Sequence, residues 1–216
     1  MKTLQSVFCL AVLCGVVNST AGEVAFYLRP SIQYTKMTMD DNITSSGKFG
    51  VGLAAGITIG TQQRFNPEVE VSTTSGLHAH GTKGYEGYSD SLAESLDLNQ
   101  YMLSCKFMLF GKDSPVRILL GPTVGWWTAR GDENRHTIYS SPAYVLPNVY
   151  SSVSESGILW GPVAGILINV NDHAKVELGY RRLAMLGSHG DRNSVYWGGV
   201  VGHLTNQVCL GLKYIF

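Results

Sequence analysis

Several sets of residues in this 216-residue chain have types and spacings that could do chemistry. Ser188 and His189, with Ser194 and His203 further on, offer hydroxyls and imidazoles, the nucleophile and base of acyl transfer. They lack a His-x-Ser-Asn arrangement, and a loop histidine is ordinarily solvated, so no catalytic residue is assigned. His78-Ala79-His80 would put two imidazoles on one face of a strand, the beginning of a metal site. Its glycine-rich surroundings read as a loop without a nearby cysteine, so no metal or other cofactor is assigned. Arg130-Gly131-Asp132 matches the tripeptide that integrins read and opens the longest expected loop. It is a candidate adhesion tripeptide, although Gly-Asp is also ordinary turn chemistry. The largest set is ionic: Arg29, Glu68, Glu70, Lys106, Arg117, Glu177, Arg181 and Lys213. Charges of both signs in the middle of apolar segments can neutralise one another if all face one interior.

The elements that would position these residues have a period of two. Phe26, Leu28, Pro30, Ile32 and Tyr34 alternate with Tyr27, Arg29, Ser31, Gln33 and Thr35. Phe49, Val51, Leu53 and Ala55 alternate with Gly50, Gly52, Ala54 and Gly56. The same rhythm recurs near 65–72, 100–109, 117–126, 160–169, 176–181 and 207–216, which makes eight expected strands. Each has an apolar row next to a small, polar or charged row. The apolar rows run nearly free of charge over about ten residues, the length a tilted strand needs to cross a bilayer.

Connections alternate between short and long. Residues 61–64, 111–115 and 171–174 read as tight turns. Residues 37–48, 75–95, 130–156 and 187–194 read as long loops, with Tyr85, Tyr88, Tyr139, Tyr144 and Tyr150 among Ser, Gly and Asn. Tyrosine among small polar residues suits adaptable protein contacts. Aromatic residues gather at the strand ends. Phe26, Phe65, Tyr214 and Phe216 would form one belt, and Tyr34, Phe49, Tyr101, Trp126 and Trp160 the other. This is the arrangement expected of rings at headgroup depth on both sides of a membrane. The pattern therefore predicts an all-β fold: a closed, antiparallel, up-and-down eight-stranded transmembrane barrel. Its ionic row would point inward and fill the lumen, with the small row at Gly50, Gly52, Ala54 and Gly56 leaving room for larger neighbours.

The N-terminus reads as an export signal. Lys2 precedes an apolar run from Leu4 to Val17, followed by Ser19 and Ala21 at small-residue cleavage positions. The expected organisation is a signal peptide over 1–21 and a barrel over 22–216. Lys plus Arg equals Asp plus Glu at 16 each, which gives no electrostatic case for a nucleic-acid partner. Cys105 and Cys209 are expected on opposite faces of distant strands and therefore as free thiols.

The last ten residues, Gln207 to Phe216, resemble the C-terminal signature of bacterial outer-membrane barrels, with Gly211, Tyr214 and the terminal Phe216 in place. Cys209 departs from the polar residue that the pattern prefers. The resemblance implies that this strand is read by the barrel-assembly machinery, with periplasmic chaperones as earlier partners. The expected mature chain is similar to the small OmpA-like and OmpX-like barrels, with Gly121 to Gly125 and Glu177 to Arg181 in that family's texture. It implies a bacterial outer-membrane location, surrounded by lipid and lipopolysaccharide. The function expected is non-enzymatic: envelope integrity, or interaction and adhesion with host or surface proteins through the loops. The alternatives are a lipid A deacylase or acyltransferase and a narrow porin-like channel.

Overall fold

The computed structural model describes residues 24–38, 44–85, 88–139, 149–189 and 200–216. The expected signal peptide, Tyr144 and Ser194 lie outside them. The strands are β1 (Val24–Thr38), β2 (Thr44–Ser45), β3 (Lys48–Ile59), β4 (Phe65–Tyr85), β5 (Tyr88–Met108), β6 (Val116–Tyr139), β7 (Val149–Asn169), β8 (Ala174–His189) and β9 (Val200–Ile215). The long strands pair with their sequence neighbours in antiparallel fashion, and β1 pairs with β9. The sheet thus closes into an eight-stranded up-and-down barrel, with the two-residue β2 added beside β1 and β4. Closure removes the unpaired edges that lipid would not tolerate.

Alternation puts the two rows where their chemistry fits. In β1, Tyr27, Arg29, Ser31, Gln33, Thr35 and Met37 are buried, while Phe26, Leu28, Ile32 and Tyr34 are exposed. Phe26 to Tyr34 is eight steps at about 3.3 Å each, which a tilted strand matches to the apolar band. Tyr34 meets Phe49 edge-on at 5.3 Å at one rim, and Phe65 lies 5.1 Å from Phe107 at the other. Cys105 is half-buried, Cys209 is buried and both are free.

The short turns lie where the sequence places them. In the β7–β8 turn, Asn171 Oδ1 accepts bonds from the His173 and Ala174 amides, an Asx turn that closes the hairpin. The long connections differ from expectation. Most of 75–95 and 130–156 continues as ladder: β4 runs to Tyr85, β5 starts at Tyr88, β6 runs to Tyr139 and β7 starts at Val149. Tyr85, Tyr88, Tyr139 and Tyr150 are therefore strand residues, and β8 likewise runs through 187–189. A bulge in β4 hides this in the sequence. Between Thr74 and Leu77 the register shifts, so Ser75 and Gly76 together face the stretch around Asp97. Gly76 has φ +66°, and its amide donates to Asp97 Oδ1 at 2.9 Å. The extra residue changes which parity points inward, from Ser72 and Thr74 to Leu77 and Ala79.

Candidate functional site

The lumen is filled in layers. At membrane depth, Arg29 Nη2 donates to Glu68 Oε1 and Glu70 Oε2, both at 2.7 Å. Lys106 Nζ reaches Glu68 at 2.7 Å and Glu177 at 2.6 Å, and Arg181 Nη2 reaches Glu70 at 2.8 Å. Tyr27 Oη and Gln33 Nε2 donate to Glu68 and Glu70 as well. Each of the three carboxylates is thus paired with one or two of Arg29, Lys106 and Arg181. Small residues make this possible. A Cβ at Gly211 would stand 3.0 Å from Arg29 Cγ, and one at Gly52 only 2.4 Å from Gln33 Nε2. Gly211, in the C-terminal signature, therefore has a packing role in the lumen, while Tyr214 and Phe216 face outward in edge contact at 5.1 Å.

Arg117 and Lys213 also point inward without a direct ion pair to those carboxylates, although Glu177 and Glu68 attract Lys213. Lys213 Nζ bonds Asn66 Oδ1 at 2.6 Å, and Arg117 Nη2 bonds the Gln63 carbonyl at 2.5 Å. Lys175, which the sequence reading did not single out, is buried near them.

Above the ionic layer lies a neutral one, where Gln207 Nε2 donates to Gln100 Oε1 at 2.6 Å and Thr35 contacts Thr74. Above that the lumen becomes largely apolar, with Met37, Leu77, Leu96, Leu98, Trp127 and Leu183 packed around a buried His203–Glu155 pair. Sequence reasoning missed this plug because Met37 and Leu77 fall in segments read as loops, while Leu96, Leu98, Trp127 and Leu183 fall between the expected strands and loops. The signal was present in the spacing of Leu96 and Leu98, and of Trp127 and Ala129, two apart.

The same stretch of β4 to β7 turns a polar face outward. His78, Ser95, Asp132 and Ser152 form one cross-strand row. His80, Ala93, Asn134 and Tyr150 form the next, with Tyr150 75% exposed. All of these but Ser152 line a shallow concavity of about 240 Å³. His78 and His80 do lie on a strand, which corrects their placement in a loop, and both are exposed. Among the described residues no group of three potential ligands gathers around a metal position. Arg130, Gly131 and Asp132 correct the reading in the same way. They sit in β6 with neighbours on both sides, Asp97, Leu96 and Ser95 on β5 and Ser154, Val153 and Ser152 on β7. The tripeptide is held extended, with Arg130 and Asp132 exposed and Gly131 on the other face.

Of the candidate acyl-transfer residues, Ser194 lies outside the described residues, and Ser188 and His189 are placed by their strand positions alone. His203 points into the lumen, where Nε2 lies 2.9 Å from Glu155 Oε2 and the ring stands edge-on to Trp127 at 5.6 Å. On the ladder His203 pairs with Met185, while Ser188 pairs with Val200 and His189 with Glu155.

Comparison with known proteins accords with this architecture. The family model described as outer membrane protein beta-barrel domain matches residues 6–216. Among solved structures, the chain is similar to the neisserial surface protein NspA, with 16% identity, TM-score 0.59 and coverage of 90% of this chain and 99% of that one. It is also similar to Ail, the attachment invasion locus protein of Yersinia pestis, with 12% identity, TM-score 0.50 and coverage of 91% and 100%. No curated protein sequence matches.

Proposed function

We propose that this chain, which belongs to the outer membrane protein beta-barrel domain family, is a non-enzymatic barrel of the bacterial outer membrane that presents a raised polar sheet to partners at the cell surface. The observation that carries the reading is the extension of β4 to β7 beyond the outer aromatic belt, with His78, His80, Arg130, Asp132 and Tyr150 on its outward face. A paired sheet holds such side chains at low entropic cost, which favours recognition over a loose loop. Beneath it the lumen is packed with ion pairs, amides and apolar side chains, an arrangement that suits a support better than a conduit. The names of the two barrels above, a surface protein and an attachment protein, are in keeping with this role. The chain would be inserted with its last strand as assembly signal, through Gly211, Tyr214 and Phe216, and would be surrounded by lipid and lipopolysaccharide.

The test is adherence. Cells displaying the protein should bind epithelial monolayers or matrix proteins. Replacing 78–95 and 131–152 by tight turns should abolish binding while the barrel still migrates faster unboiled in electrophoresis. Adherence unchanged by trimming would remove the reading. Acyl release or transfer on purified lipid A would replace it with the enzymatic one.

A further inference from the structure

The end of the lumen opposite the raised sheet is electrically unbalanced. Arg117, Lys175 and Lys213 face inward there, with exposures of 1%, 5% and 1%. The carboxylates at membrane depth, Glu68, Glu70 and Glu177, are already engaged by Arg29, Lys106 and Arg181. Each of the remaining cations has only neutral hydrogen-bond partners. Arg117 Nη2 donates to the carbonyls of Gln62 at 3.3 Å and Gln63 at 2.5 Å. Lys175 Nζ donates to Gln63 Oε1 at 3.3 Å. Lys213 Nζ donates to Asn66 Oδ1 and lies 3.6 Å from the centroid of the Tyr27 ring. Asn66 Nδ2 in turn donates to the Gln63 carbonyl at 3.0 Å.

These bonds converge on one residue. Gln63 closes the β3–β4 turn with a left-handed φ of 51°, and its amide bonds Gly60 O at 2.8 Å. A non-glycine residue in that conformation costs about 1 kcal/mol or more and is retained where its surroundings over-determine it. Here the strained turn gathers Arg117, Lys175 and Asn66 onto Gln63. Arg64 beside it adds further positive charge. Exposed Asp172 attracts Lys175 without forming an ion pair with it. Arg117 Nε is buried and has no partner at all. Glu177 and Glu68 attract Lys213 without an ion pair to it, but Arg117 has no such carboxylate and its guanidinium cannot shed its proton, so burying it without a counter-charge is costly.

We propose that this cluster is a binding site for a small oxyanion of phosphate size, entering from the periplasmic mouth. The cations project into the lumen, on the far side of the barrel wall from lipid headgroups. That placement favours an ion from solution. Guanidinium and ammonium donors held by one turn supply the charge-assisted bonds that such an ion needs.

The test uses protein extracted from membranes in an uncharged detergent, titrated calorimetrically with inorganic phosphate at constant ionic strength. Saturable binding is expected. Lys175→Gln should weaken it about tenfold or more, while Lys36→Gln on the outer surface should not change it. Lys175→Gln should also leave the unboiled mobility intact and make the phosphate-free barrel no less stable to urea. The proposal is overturned if folded wild type shows no saturable heat, or if Lys175→Gln binds phosphate as well as wild type does. It also fails if the phosphate-free variant is less stable, because Lys175 would then be a favourable structural cation rather than one awaiting an anion.

Discussion

The two halves of the cylinder follow opposite rules. Between the aromatic belts, Ile118, Leu120 and Val124 of β6 face outward and Arg117 and Thr123 face inward. Past Trp126 on the same strand, Trp127 and Ala129 are inside while Arg130 and Asp132 are outside. β7 repeats the inversion, with Ile158 and Trp160 outward in one half and Val153 buried between Ser152 and Ser154 in the other. One backbone ladder carries both patterns. What changes is the medium outside it. Lipid calls for an apolar outer row and lets the lumen hold ions, whereas water calls for a polar outer row and lets the lumen become an ordinary hydrophobic core.

The largest expected effects come from breaking the ionic half. Glu68→Ala removes one acceptor from Arg29 and Lys106 together and should destabilise the barrel by about 3–5 kcal/mol, read as a urea midpoint by the mobility shift. Next comes the apolar half. Leu98→Ala opens a cavity in the plug and should cost about 2–4 kcal/mol, followed by the same midpoint. It should also raise proteolysis of the raised sheet while leaving the membrane-depth strands protected. If Leu98→Ala instead destabilised the ionic half first, the two halves would not be separate packing units.

Gly76→Ala strains the bulge that changes parity between the halves, and should cost about 1 kcal/mol or somewhat more. Asp97→Ala, which removes the acceptor for the Gly76 amide, should be similar or smaller, and the pair should be non-additive in a double-mutant cycle. The smallest effect belongs to the outward face. Asp132→Ala should leave stability within about 0.5 kcal/mol, so any loss of adherence it causes reports on recognition rather than on folding.

These contrasts also explain what the sequence revealed. The membrane half was legible because its greasy row is uninterrupted and its ionic row, from Arg29 to Lys213, cannot face lipid. The raised half was read as loops for two physical reasons. Its outer face is polar, so the expected pattern ends at Trp126. The bulge at Ser75 and Gly76 then breaks the alternation that would have exposed Leu77 and Ala79 as an inner row. His78-Ala-His80 and Arg130-Gly-Asp132 were misplaced for that reason. Lys175 is missed because it is the second residue of β8, just past a tight turn, where a lysine is ordinarily solvent-exposed.

The inversion can be measured directly along β6. Single cysteines placed at 118, 120, 124, 126, 130 and 132, in a background lacking Cys105 and Cys209, would carry nitroxide labels in a reconstituted bilayer. The account predicts that labels at 118 through 126 collide with dissolved oxygen and not with a water-soluble nickel chelate, and that 130 and 132 do the reverse. Free access of the chelate to 120 and 124 would contradict it, because the apolar row would then not be facing lipid.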